Sequence, residues 1–379
     1  MRRRSVRLVF FGLSLTSSWG NGHATTYRGL LGGLRRRGHE LTFFEKDFEW
    51  YAQHRDLPQP PQARLQLYQH WTEVRPVALR AARAADAVIV GSYFPDAIPL
   101  LDELLAHQTT LTCFYDIDTP VTLEGLRAGS CRYLRADQIA ALDLYLSFTG
   151  GPVLEELQRL WHARCVRPLY CACDEREYRK AQRPLHPVAT LSFLGTYAAD
   201  RQAKFERLLL GPARCSPGQK FRVAGSMYPE AELWPANVQY QSHLAPGRHT
   251  EFYGTSRFTL NLTRQAMVEA GYSPSVRLFE AAAAATPIIS DPWPGLAEFF
   301  EPGREILIAR STPEMLAILD QVTAPEAAAM GRAAQEHVLT THTCGQRAQE
   351  LETYLAEAAA HTLPVFSPEQ FRRCTPKNP

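Results

Sequence analysis

Short apolar runs recur along this chain, each bounded by polar or turn residues and separated from the next by a stretch of helical periodicity. In the first half the runs predict strands at 7–13, 40–45, 87–91, 110–115, 144–147 and 165–170. Apolar positions three and four apart predict helices between them, notably over 24–37 and over the amphipathic 152–162. Runs this apolar suit strands buried on both faces, as in a parallel sheet covered by helices. A charged stretch at 174–187, carrying Arg183-Pro184-Leu185-His186-Pro187, then reads as a linker. A second series follows, with strands expected at 188–195, 221–225, 238–242, 258–262, 287–290 and 305–309. The expectation is an α/β protein of two Rossmann-like halves, with ligands at the carboxyl ends of the strands. The stretch 324–360 is almost all helix former, and the tail 364–379 is polar and proline-bearing. Beyond alanine runs there is no repeat.

Composition narrows this without changing it. A chain of 379 residues is long enough for two cores. Its 21% charged and 45% hydrophobic residues are those of an ordinary globular protein. A formal net charge of +2 gives no reason to expect nucleic acid as a partner. Arg2-Arg3-Arg4 before the apolar stretch 6–15 resembles a secretory leader, but Arg7 interrupts it and no small-residue cleavage site follows, so it reads as the first strand. No run reaches the length of a membrane helix, and the eight cysteines are scattered without zinc or redox spacing. Reduced thiols in a cytoplasmic protein are the expectation.

The most informative passage is Ser273-Pro274-Ser275-Val276-Arg277-Leu278-Phe279-Glu280, followed by alanines and a short strand. The serines offer cap chemistry, and free N–H groups at a helix start favour an anion such as a diphosphate. Arg277 adds a full charge there. Glu280, one turn on, has two acceptor oxygens for the vicinal hydroxyls of a ribose. The plainer alternative is a local ion pair between Arg277 and Glu280.

This passage, with Asn261-Leu262-Thr263-Arg264, Gly271-Tyr272 and Gly303-Arg304-Glu305-Ile306-Leu307, resembles the donor-binding segment of GT-B glycosyltransferases. The likeness is to the CgeB-like (spore-maturation-protein-like) group related to retaining family 4. It implies two facing Rossmann-like domains with an interdomain cleft: an acceptor domain at 1–173, a linker at 174–187, a donor domain at 188–345, and a final helix and tail at 346–379 returning to the first domain. It also implies metal-independent transfer of a sugar from a nucleotide diphosphate sugar to an acceptor hydroxyl, with no other cofactor. Glu280 matches the second glutamate of the family 4 pair, the one that holds the ribose. The first falls on Tyr272, which leaves open a non-catalytic protein that only binds nucleotide sugars. The acceptor is a glycan, a small molecule or a protein.

Further residues are expected to serve the two sides of such a site. Gly195-Thr196 closes the first strand of the second half, and Arg201, with Lys204 in reserve, opens the next helix. A cation there would offset charge on the leaving diphosphate. Arg264 is a second such cation. With Ser273, Ser275, Val276, Arg277 and Glu280 they make the donor set. On the acceptor side stands the loop Trp19-Gly20-Asn21-Gly22, followed by His23, a general base or sugar contact, or else a helix cap. Asp116-Ile117-Asp118 ends a strand; Asp118 is expected to touch a sugar while Asp116 caps or pairs. The triplet suggests a diphosphate-bound metal, but a two-Rossmann enzyme holds the diphosphate on its other domain, so no metal site is expected. Gly20-x-Gly22 with Glu45 admits an NAD-dependent oxidoreductase, although Thr25 stands at the third glycine position. His243, His249 and His337 lack metal-ligand spacing and are expected in surface or core roles.

Overall fold

A computed structural model describes residues 5–107, 110–179, 181, 183–229 and 234–362. Arg2-Arg3-Arg4 and the tail 364–379 lie outside them. The chain divides into two compact units, one containing Met1–Ser18, His23–Tyr170 and Cys344–Pro379, the other Trp19–Gly22 and Cys171–Thr343.

The first unit holds a parallel sheet of β1 (Arg7–Phe11), β2 (Glu40–Lys46), β3 (Arg64–Tyr68), β4 (Ala87–Gly91), β5 (Leu111–Asp116), β6 (Leu144–Ser147) and β7 (Val166–Pro168), in the order β3-β2-β1-β4-β5-β6-β7. The register is set by apolar residues: Phe10 of β1 lies between Phe43 and Ile89 of its two neighbours. All of β4 and β5 is buried, as a strand covered on both faces requires. Strand β3 was not expected. Its Arg64-Leu65-Gln66-Leu67-Tyr68 alternates over too few residues to stand out, and an edge strand needs only partial burial.

The second sheet is also parallel: β8 (Ala189–Leu194), β9 (Phe221–Ala224), β10 (Val238–Gln241), β11 (Ser256–Asn261), β12 (Ile288–Ser290) and β13 (Ile306–Ile308), ordered β10-β9-β8-β11-β12-β13. Phe193, Phe205, Leu208, Phe258 and Leu260 are among its buried core. In both sheets strand order reverses beside the first strand, between β1 and β4 and between β8 and β11. A ligand crevice forms at such a reversal, on the carboxyl side.

Two stretches gain detail in the folded chain. The stretch 174–187 includes a short helix, Glu175–Tyr178, capped by the Asp174 carboxylate. The stretch 324–360 is two helices, Ala324–Thr341 and Cys344–Thr362. The second packs on helix His23–Arg36, where Gly33 permits close approach: a Cβ there would stand 2.5 Å from the Cys344 carbonyl oxygen.

Candidate functional site

In the second unit the crevice between β8 and β11 is occupied by arginine. Helix Val276–Ala283 begins at Ser275, and every residue from Arg277 to Ala283 is buried, because small side chains let it sink against its neighbours. Arg277 donates from Nε to the Leu194 carbonyl at the end of β8 and from Nη1 to Asn261 Oδ1 at the end of β11, 3.0 Å away. Its guanidinium lies 4.8 Å from the Phe193 ring centre, and that of Arg201 lies 5.6 Å from the same ring. Arg201 donates to the Thr196 carbonyl. Gly195 makes room for this pair: a Cβ there would meet Arg277 Nη2 at 2.6 Å.

Both arginines are less than a tenth exposed, and among the described residues neither is ion-paired to a carboxylate. Burial pushes the Arg201 pKa down to about 10, with the charge of Arg277 adding to the effect. Burial lowers Arg277 as well. Ser275 occupies the N-cap position without capping, since its hydroxyl donates to Asn261 Oδ1 at 2.8 Å. The expectation of side-chain caps is thereby corrected for Ser275: Asn261, at the end of β11, offers it a better acceptor. Two buried guanidiniums and an uncapped helix start thus raise the same potential, and an anion would relieve their repulsion.

The other predicted donor residues divide. Gly195 and Thr196 lie at this end of β8, and Val276 is the first residue of the helix. Ser273 is buried nearby in sequence. Arg264 is drawn to Asp200, 3.3 Å away, and Lys204 is committed to Asp291 at 2.8 Å, so Lys204 is no reserve for Arg201. The local Arg277–Glu280 ion pair does not form. Glu280, 4% exposed, accepts from the Tyr253 hydroxyl at 3.2 Å and faces His249 Nδ1 at 3.5 Å. Burial raises its pKa, but the charge of His249 and hydrogen bonds from His249, Tyr178 and Tyr253 outweigh that and hold it below the ordinary range. His249 is therefore not a bystander. Only its helix, His249–Gly254, packing on that of Glu280 reveals this. Tyr272, where the first glutamate would fall, has φ of +47°, a conformation that costs a tyrosine roughly 1–3 kcal/mol.

In the first unit, His23 is the first residue of its helix and 6% exposed. Its Nε2 lies 3.9 Å from Asp118 Oδ2, and its buried Nδ1 has no hydrogen-bond partner, so it does not act as a cap. Tyr93, at φ of +62° after β4, meets the imidazole edge-on at 5.3 Å. Asp118 sits at the N-cap of Thr119–Arg127 without capping it. Asp116 is fully buried, accepting from Tyr145 at 2.5 Å and Thr122 at 2.7 Å. Burial raises its pKa to about 6, against the pull of those bonds. The loop Trp19–Gly22 before His23 groups with the second unit; Trp19, Gly20 and Asn21 are partly buried and Gly22 exposed, and Gly20 has φ of +67°.

The oxidoreductase alternative fails on Glu45. That carboxylate is fully buried and accepts from the Ser14 hydroxyl, the Leu15 and Thr16 N–H groups and the Thr16 hydroxyl, at 2.6–3.0 Å. Its acceptors are filled by the loop it shapes, leaving none for a ribose. Among the described residues no cluster of three or more histidine, cysteine or acidic side chains is arranged to hold a metal, and no helix is long and apolar enough to cross a membrane.

Comparison with known proteins bears on the fold and the family. Residues 201–353 match the family model described as glycosyl transferase-like. Sucrose-phosphate synthase from Thermosynechococcus elongatus is 12% identical, with a TM-score of 0.69 over 94% of this chain and 100% of that one. An α-glucosyltransferase solved with UDP and a 13-mer DNA is 13% identical, with a TM-score of 0.70 over 93% of this chain and 100% of its own. HepE from Anabaena, solved with UDP and glucose, is 10% identical, with a TM-score of 0.66 over 93% and 100%. No curated protein matches. The architecture is that of GT-B glycosyltransferases, and the expectation of a glycosyltransferase is met by the family model over the segment it covers.

Proposed function

We propose that this chain, with a glycosyl transferase-like segment inside two Rossmann-like units, moves a sugar from a nucleotide diphosphate sugar to an acceptor hydroxyl without a metal. The observation that carries this is the buried pair Arg201 and Arg277, neither bonded to a carboxylate, beside an uncapped helix start. Such a pair is costly unless an anion joins it, and a diphosphate has the charge and the acceptor oxygens to do so.

In this reading Glu280, kept ionised and oriented by His249 and Tyr253, accepts from the ribose hydroxyls. Arg201, Arg277 and the N–H groups following Ser275 hold the diphosphate. The acceptor oxygen forms a bond to the anomeric carbon while the bond from that carbon to the diphosphate oxygen breaks. The arginines take up the charge that appears on the leaving group, the role a divalent cation would otherwise fill. His23, steered by Asp118, receives the hydroxyl proton. Asp116 is withdrawn from any metal role by Tyr145 and Thr122. The motif around Gly271–Glu280 supports the CgeB-like subgroup. The described cysteines are free thiols, which supports a cytoplasmic location. Known structures of this architecture solved with UDP support a uridine diphosphate donor.

The test is thermal unfolding against UDP, GDP, dTDP, CMP and NAD. One nucleoside diphosphate at a hundredfold its dissociation constant should stabilise the protein by about 2.7 kcal/mol, and Glu280→Ala should lose most of that. Arg201→Ala should chiefly slow transfer. Stabilisation by NAD alone, or by a diphosphate indifferent to Glu280, sinks the proposal.

A further inference from the structure

Among the described residues the large apolar side chains left exposed are Trp50, Val77, Leu160, Leu185, Val188 and Met227, and Trp50, at 49%, is the aromatic member. It is firmly held. Its ring stacks on Phe48 with centroids 4.4 Å apart and planes 12° apart. Buried Tyr51 meets both rings at a steep angle, at 6.3 and 5.9 Å. The indole is thus a flat apolar surface fixed in orientation and left to solvent.

The charged side chains of the flanking segment are held in pairs apart from Glu49, whose carboxylate accepts from Gln53 Nε2 at 3.3 Å. Lys46, 6.0 Å from the centre of the Phe48 ring, pairs with Asp96 at 3.3 Å. Asp47 pairs with Arg55 at 2.5 Å, and Asp56 with Arg28 at 2.7 Å. All are partly exposed. Segment 47–52 follows β2 directly and is tied to the last residue of β3 by a 2.7 Å bond from the Asp47 N–H to the Tyr68 carbonyl. It therefore lies at the carboxyl edge of the first sheet, the edge that also carries His23 after β1 and Asp118 after β5.

A flat ring beside paired guanidinium, ammonium and carboxylate groups suits one chemical class well. A pyranose offers a C–H face to an aromatic plane and a rim of hydroxyls that both donate and accept. A polyanion needs cations not already neutralised, and a wholly apolar ligand would strip water from the pairs without replacing it. We infer that the Phe48–Trp50 stack is a subsite for a neutral saccharide, so that the acceptor of the proposed transfer is a glycan; this rests on the transferase reading.

The test is native electrophoresis through gels containing glycogen, laminarin, hydroxyethylcellulose or galactomannan, with heparin as the polyanion. At least one neutral polysaccharide should retard the wild type. Trp50→Ala should bind it about tenfold more weakly, while Trp50→Phe, which keeps a flat face, stays near wild type. Retardation by none of the four, by heparin alone, or unchanged in Trp50→Ala overturns the inference. So does a Tm lowered equally by both substitutions, which would make Trp50 a structural residue. Stabilisation of the wild type by UDP reports on the transferase reading alone, so the two failures are distinguishable.

Discussion

Asp116, at a strand end, and Glu280, within a helix, are both buried carboxylates, yet their surroundings drive them in opposite directions. Burial is the largest influence on each. Around Asp116 two hydroxyl donors fall short of offsetting it, and the nearby Asp118 charge adds to the cost, so its pKa rises to about 6. Around Glu280 a histidine and two tyrosines more than offset it. The consequences for stability have opposite signs. A carboxyl raised in the folded state binds its proton there after the unfolded chain has released it, so its contribution is lost as pH rises. Relative to Asp116→Asn, the wild type should therefore lose roughly 3 kcal/mol between about pH 4 and pH 6. Urea unfolding of both proteins at several pH values across that window would measure it, and a constant difference would mean that Asp116 titrates normally. The stability due to Glu280 is instead present above the ordinary glutamate range and fades as pH falls below it. Sequence singled out Glu280 for a ligand and left Asp116 to cap or pair, but gave no sign of the direction in which each is driven. That depended on Tyr145, Tyr253 and His249, all distant along the chain, and on Thr122, six residues on.

Helix Cys344–Thr362 shows how an element is held by a few groups. Glu352, 4% exposed, accepts two bonds from Arg37, both 2.5 Å, and one at 2.7 Å from His39 Nε2. The Val6 N–H donates to His39 Nδ1, which leaves the proton on Nε2 and points it at Glu352. Burial raises the Glu352 pKa, but Arg37 and His39 lower it by more. Removing one member of such a cluster leaves a poorly solvated charge, so Glu352→Ala should cost about 3–5 kcal/mol. Amide exchange should accelerate across residues 344–362 before the central strands. A loss below about 1 kcal/mol with unchanged exchange would show that packing around Gly33 holds the helix by itself. Composition marked 324–360 as helical without showing the break at His342-Thr343, which carries neither glycine nor proline; the separate final helix was expected only from the resemblance. Strand β3 was missed for the converse reason: an edge strand can keep polar side chains outward and leave a weak apolar signal.

Two parallel sheets of the same winding invite the question of which one binds nucleotide, since each has a reversal point. The chemistry separates them: arginines line the reversal in the second unit, histidine and tyrosine that in the first. Binding of UDP should therefore slow amide exchange most strongly at 193–201, 261–263 and 275–280. Protection strongest around 14–18 and 23–26 would place the nucleotide in the first unit and count against the assignment of Arg201 and Arg277. The α/β class, the two successive series of strands and the importance of the passage from Ser273 to Glu280 were legible in residue order, because parallel strands and helix starts leave local signatures in apolar runs, small residues and turn chemistry. Other features required the folded chain. The pairing of Arg201 with Arg277 across Phe193, the clamp of His249 on Glu280, the withdrawal of Asp116 and Glu45, and the exposed Trp50 all join residues from separate elements. Charge, burial and repulsion act through space, so only the tertiary structure decided which of the marked residues are paired, which are spent on the fold, and which are left for a ligand.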